Sequence, residues 1–456
     1  MNKKDIQHLV SLSGICSGCV VIALVFSMVN SSLSFIGQEL ALPLNALQWI
    51  MSVFGIINCS LLVTCGRLSD IYGRKKLFLF GLASTLSGMI GAGFSRSAFG
   101  LIISMGLAGL GNAILLPVSQ AMLLSEFPPK QEGRAIGLWA TAIGSALAAG
   151  PIFGGVIASI LGWQWIFWIL VPVILFSFIL VGFFSKESRN TRDSQELDLK
   201  GMATLAILTA AIVLLLTEHK KLTGIVQASI LFGACLLAFV LIRVEKRAKE
   251  PILRPDLLQN GPFLAASVAC AALVFYIWGL FFLFPFYLQK IGGYSPIASG
   301  IVMLAITLPV AFLSSWIGKR LKAGQSGRWI TQGFCLLLAS TLIQYFFGEA
   351  TPLVVIVAAA ALFGVGYSFI WGPSTTAAVS SQPKERAGLV AGTYVTIQEI
   401  GGTLALASAV TVLQEGDSLL AGWRLSQAVL AAAGGIGLAS GIYLQRVYKR
   451  NPFSLK

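Results

Sequence analysis

One acidic residue, Glu399, sits inside the run TYVTIQEIGGTLALA at 393–407. A charge at the middle of a bilayer costs several kcal/mol, about 2.5–3.5 on lenient insertion scales, so such a residue marks a functional candidate. At helical spacing Gly392, Thr396 and Thr403 share its face, while Val390, Ile397 and Leu404 point away. It lies roughly 16 Å along a helix from Gly388 at 1.5 Å per residue. A carboxyl in apolar surroundings favours its neutral form, so Glu399 can alternate between a proton and a cationic guest. Gln398 beside it, or a threonine, could instead hold a permanently neutral, structural carboxyl.

Other stretches carry mechanical rather than acid–base chemistry. GRLSDIYGRKK at 66–76 combines two glycines suited to a tight turn, Gly66 and Gly73, with Asp70, which can accept charge-assisted bonds from Arg74 or from a helix N-terminus. GSALAAGPIFGG at 144–155 offers a small-residue face, Gly150, Gly154 and Gly155, around a helix-bending Pro151. FYIWGLFFLFPFYLQ at 275–289 is dense in aromatics. Tyr276, Trp278 and Phe282 there are candidate walls for a planar or cationic guest, although most such rings face lipid or the membrane interface. Cys16 and Cys19 form a CxxC with no second ligand pair, and His8 and His219 are the two histidines. No metal, cofactor or clustered catalytic set is expected, which argues against an enzyme.

These residues need helices to position them. Hydrophobic residues make up 56% of the 456 and charged ones 11%, the composition of a polytopic membrane protein. About fourteen apolar runs of spanning length follow one another, from roughly 10–36 to roughly 422–446. With loops assigned alternately, all but Arg96, Lys220, Lys221, Lys290 and Arg424 of the 32 Lys and Arg residues fall on one side. That asymmetry places both termini in the cytoplasm and explains the net charge of +14 without nucleic acid. The first run is long and lacks a clear cleavage site, so it reads as an uncleaved helix.

The longest polar segments, 186–199 and 244–262, bracket spans seven and eight and leave six spans on either side. A faint echo links the halves: PPKQEGRAIGLW precedes span five and QPKERAGLVAGTY precedes span thirteen. The expected organisation is a six-helix bundle over 1–199, two inserted helices over 200–262 and a second six-helix bundle over 263–456, a plan common among transporters.

On these motifs the chain resembles the major facilitator superfamily, and within it the 14-span drug:proton antiporters of the multidrug and tetracycline-efflux type. Gly66, Asp70, Gly73, Arg74 and Lys75 match the inter-helix motif G-x-x-x-D-[RK]-x-G-[RK]-[RK], with Ile71 departing. Gly150, Pro151, Gly154 and Gly155 match the end of the antiporter motif, Ala146 replacing one glycine. Leu24, Ser27, Val29, Asn30 and Leu33 are in register with the span-one signature, but Val25 stands at its acidic position. Met105 stands where span four commonly carries arginine.

The resemblance implies an all-α major facilitator fold of two six-helix bundles plus two extra central helices, in the plasma or inner membrane and monomeric. It implies export of a small lipophilic or cationic compound, a drug or toxic metabolite, in exchange for protons by alternating access. Glu399, Gln398 and Asn30 would form the proton and substrate set; IQEIGG looks like the functional glutamate site of the 14-span tetracycline exporters. Val25 and Met105 keep open an exporter of a metabolite or metal chelator, or a lipid translocator, with atypical or no proton coupling.

Overall fold

The computed structural model describes residues 3–127, 129–189, 199–247, 255–321, 324–382 and 387–450. Among them there are helices and no strands, as expected where no water can satisfy a lone backbone. The first part of the chain gives α1 (Lys3–Glu39), α2 (Leu44–Tyr72), α3 (Arg74–Phe94), α4 (Ala98–Glu126), α5 (Pro129–Ile160), α6 (Gln164–Trp168) and α7 (Leu170–Phe184). The middle gives α8 (Leu199–Glu218), α9 (Gly224–Arg247) and the short α10 (Pro255–Leu258). The last part gives α11 (Gly261–Lys290), α12 (Pro296–Arg320), α13 (Ser326–Tyr345), α14 (Leu353–Ser380), α15 (Ala387–Glu415) and α16 (Leu419–Arg450).

Thirteen of these stretches are long and apolar enough to cross a membrane, α6 and α7 counting as one span, Gln164–Phe184. The fourteenth long helix, α13, falls below that apolar level because Arg328, Gln332, Ser340, Thr341 and Gln344 lie along it. Arg328 and Gln332 are exposed, but the other three are turned inward: Ser340 donates to the Ala359 carbonyl, Thr341 to that of Leu337, and the Gln344 amide to the Ser340 hydroxyl. It packs against α14 and α16, which cover Ser340, Thr341 and Gln344.

Two compact units result, one running to Ala206 and the next beginning at Ile207, inside α8. In the first, α1 packs on α5 and α7, and α4 lies between α2 and α3. In the second, α11 is central and touches α14, α15 and α16, while α12 packs on α14. In its most apolar stretch α11 has 83% of residues buried, whereas α9 has 11%, which makes α9 a peripheral helix clothed by lipid. The α8–α9 connection is tied to α15 by Thr411, which donates to the Leu216 carbonyl, and by the Lys220–Glu415 ion pair at 3.2 Å.

Candidate functional site

Glu399 lies about 18 Å along α15 from Ala387, far from either end of the helix. It is 9% exposed, and Thr396 and Thr403, on the same face, are fully buried. Ile397 and Leu404 are half-exposed on the other side, so the polar face of α15 points into protein as its spacing requires. Val390, expected to point away, is also buried.

Around this turn, α11, α14 and α15 bring together a polar cluster. The Cys270 thiol on α11 donates to Gln398 Oε1 at 3.4 Å, and Glu399 and Tyr367 both lie within its electrostatic reach. The Tyr394 hydroxyl meets the same thiol and bonds Ser374 at 3.0 Å and Thr375 at 3.1 Å on α14. Ser374 and Thr375 both donate back to the Trp371 carbonyl, so the phenol is left as a donor to one of them. Each bond of this kind contributes about 1 kcal/mol. Close helix contact makes the cluster possible: a Cβ at Gly401 would lie 2.5 Å from the Ala271 carbonyl, and one at Gly402 2.8 Å from the Trp278 indole.

The aromatic candidates on α11 occupy packing positions. Tyr276 is fully buried, its hydroxyl 3.3 Å from that of Thr341 and its ring 6.1 Å from Phe363. Trp278 covers Gly402, and Phe282 stacks on Phe286 at 6.4 Å.

In the first unit, α5 lies on α1 through its glycines. A Cβ at Gly150 would collide with the Ser27 side chain, and one at Gly154 would sit 2.8 Å from the Met28 carbonyl. Ser32 donates to the Gly154 carbonyl at 3.1 Å, while Pro151 and Gly155 are buried. Asn30 is buried one residue from this seam. Its amide donates to the Phe26 carbonyl at 2.8 Å, and its Oδ1 has no partner among the described residues.

The 66–76 motif is the turn between α2 and α3. Gly73 adopts φ +111°, a backbone conformation open to glycine, and lets the chain reverse within one residue. Arg74 reaches the Ala121 carbonyl at 3.3 Å and Lys75 that of Gly182 at 2.6 Å. Gly66 faces Pro117. Asp70 is in the last turn of α2, and its side chain lies outside the described residues.

A family model for the Major Facilitator Superfamily matches residues 15–406. The chain belongs to the Major Facilitator Superfamily. Multidrug resistance protein Stp of Mycobacterium tuberculosis is 26% identical over 416 residues, 91% of this chain and 76% of that protein. The tetracenomycin C resistance and export protein of Streptomyces glaucescens is 28% identical over 400 residues, 87% and 74% of the two chains. A methylenomycin A resistance protein of Bacillus subtilis reaches 31% over 340 residues, 71% and 72%. Among solved structures, the peptide transporter POT in complex with sulfate superposes with a TM-score of 0.73 at 13% identity over 100% of both chains. A D-xylose-proton symporter gives 0.65 at 11% identity over 96% of each. At such identities the structures show the fold alone, and that fold is the facilitator fold.

This facilitator is a many-span membrane transporter rather than an enzyme. Among the described residues no group of three His, Cys, Asp or Glu side chains could hold a metal ion. Two features of its site were missed by the sequence reading. One is Glu187, just after α7, whose carboxylate accepts from the backbone N–H groups of Lys75 at 3.1 Å and Lys76 at 3.2 Å. It thereby satisfies two orphan donors at the N-terminus of α3 and opposes the positive end of that helix. Its signal, one acid in a mixed-charge loop, is indistinguishable from a solvated charge. The other is the Tyr394–Ser374–Thr375–Cys270 set around Glu399, whose members lie on three helices far apart in sequence.

Proposed function

We propose that this facilitator exports a small lipophilic or cationic compound in exchange for protons, with Glu399 as the proton carrier. The observation that carries the reading is the position of that carboxyl: buried, mid-helix and one residue from the hydrogen-bonded Gln398–Cys270 pair. Other described acids, such as Glu39, Glu126, Glu245 and Glu415, stand within two residues of their helix ends. Similarity to proteins named for drug resistance and export supports the direction of transport.

The cycle follows from the chemistry of one carboxyl. Neutral Glu399 is compatible with a buried site; once it gives up its proton, the carboxylate needs a cation to replace it. Binding of a cationic substrate and of a proton are then mutually exclusive, which is exchange. One carboxyl carries one proton, so exchange with a monocation is electroneutral. The α1–α5 seam, where Gly150 and Gly154 admit Ser27 and Met28, allows the helices to slide at close range, and the Gly73 turn holds one arrangement of α2 and α3. The bundles over 1–199 and 263–456 would alternate access, with both termini cytoplasmic and the protein acting as a monomer in the plasma or inner membrane.

A second reading rests on Val25 and Met105, both buried where relatives of this type carry an acid and an arginine. It is a metabolite, metal-chelator or lipid exporter with atypical coupling. Inside-out vesicles loaded with the purified protein separate the two. Accumulation of ethidium that requires an imposed pH gradient, and collapses with a protonophore, supports proton exchange. Accumulation indifferent to that gradient refutes it.

A further inference from the structure

At one end of the second unit, α12 and α13 each pack on α14, and among the described residues they touch one another only slightly. Ring contacts bridge the gap between them. Trp316 of α12 meets Trp329 of α13 edge to face at 6.5 Å, and Trp329 meets Phe369 of α14 in the same way at 5.0 Å. The guanidinium of Arg320 lies over the Trp316 ring, 4.0 Å from its centre.

Trp316 also belongs to a row at helical spacing along α12. Leu308 is 48% exposed, Phe312 72% and Trp316 44%, and Arg320, next in the row, is exposed too. From Leu308 to Arg320 the row runs roughly 18 Å. One leaflet's hydrocarbon is about 15 Å deep. Lipid chains therefore cover the apolar part of the row, and its charged end arrives at the level of the headgroups, where tryptophan and arginine belong. Across the gap Arg328, the neighbour of Trp329, is exposed as well. The stretch GKRLKAGQSGR at 318–328 carries Lys319, Arg320, Lys322 and Arg328 and no acid. Neither arginine forms an ion pair among the described residues. Stacking on Trp316 occupies one face of the Arg320 guanidinium and leaves its N–H edge to an anion.

We propose that this end of α12 and α13 is a binding site for an anionic phospholipid of the bilayer, its acyl chain along Leu308, Phe312 and Trp316 and its phosphodiester held by Arg320 and Arg328. The inference is independent of Glu399. A zwitterionic lipid offers the same chains and the same phosphate but brings its own cation, so the net charge of the headgroup decides which lipid stays.

The test is native mass spectrometry of the purified full chain in detergent, titrated with phosphatidylglycerol and with phosphatidylcholine of identical chains. Wild type should bind the first more tightly. Arg320→Gln and Arg328→Gln should each weaken phosphatidylglycerol about fivefold and leave phosphatidylcholine within about twofold. Trp316→Leu removes no charge, yet it should weaken phosphatidylglycerol about threefold by releasing Arg320, and Trp316→Phe should retain it. The control is Arg446→Gln combined with Lys449→Gln, which removes two exposed cations at the end of α16 and should leave phosphatidylglycerol within about twofold. Equal loss in the control would reduce the effect to general surface charge and overturn the site, as would equal affinity of wild type for the two lipids. Displacement by millimolar inorganic phosphate would make the ligand a soluble anion, and a dimer that Trp316→Leu dissociates would make the occupant a second copy of the chain. Either result overturns the proposal.

Discussion

Replacing Gly73 by alanine should destabilise the turn between α2 and α3 through two effects that the structure separates. At φ +111° and ψ 132° an L-residue is strained, at a cost of roughly 1–3 kcal/mol. The added Cβ would also lie 2.6 Å from one Glu187 carboxylate oxygen and 2.9 Å from the other. Those oxygens are held by the backbone N–H groups of Lys75 and Lys76, so the carboxylate must abandon them to make room. Because Glu187 is exposed, losing it from the helix N-terminus costs only about 0.5–1 kcal/mol. Gly73→Ala should therefore cost roughly 1.5–4 kcal/mol. In a Glu187→Ala background the same substitution should cost only the backbone strain, making the pair sub-additive by about 0.5–1 kcal/mol. Thermal unfolding of the four proteins in one detergent provides the comparison. Strict additivity would show that Glu187 does not hold the turn, and an unaffected Gly73→Ala would contradict the turn geometry itself.

Two further outcomes are expected. Gly150→Leu should stop transport by driving α5 off Ser27 and Met28 while leaving equilibrium ethidium binding within about threefold, since the seam and Glu399 belong to different compact units; normal efflux by this variant would show that the seam need not slide. Burial holds the Glu126 carboxyl above its ordinary value, against the opposing effects of Ser11, Ser185, the Lys186 backbone and His8. Its neutral form is thus favoured in the folded protein, and its contribution to stability is fully present below the unfolded value and falls as pH rises through the folded one. Melting temperatures of wild type and Glu126→Gln across pH should show this slope in the former and a flatter profile in the latter.

Much of the architecture was legible because the bilayer demands long apolar helices, and sequence displays these directly. Helix α13 was the least distinct, since its Ser340, Thr341 and Gln344 bond within the second unit and so dilute the apolar signal. Glu399 stood out because a charge inside an apolar run is conspicuous. Its neighbours did not: Cys270, Ser374 and Tyr394 are ordinary residues until α11, α14 and α15 bring them together. In the aromatic run on α11, Tyr276 is buried against Thr341 and Phe363.

The central claim is that one carboxyl carries the exchanged proton, and proton flux in proteoliposomes tests it most directly. Wild type should release about one proton per ethidium taken up, driven by the pH gradient and insensitive to membrane potential, because a monocation for a proton moves no net charge. A neutral substrate would instead move one charge, worth about 2.3 kcal/mol per 100 mV. Glu399→Gln should remain folded, keep the neutral form permanently and show no substrate-dependent proton flux. Equal proton flux in wild type and Glu399→Gln would contradict the account, leaving the glutamate structural and the proton on another path.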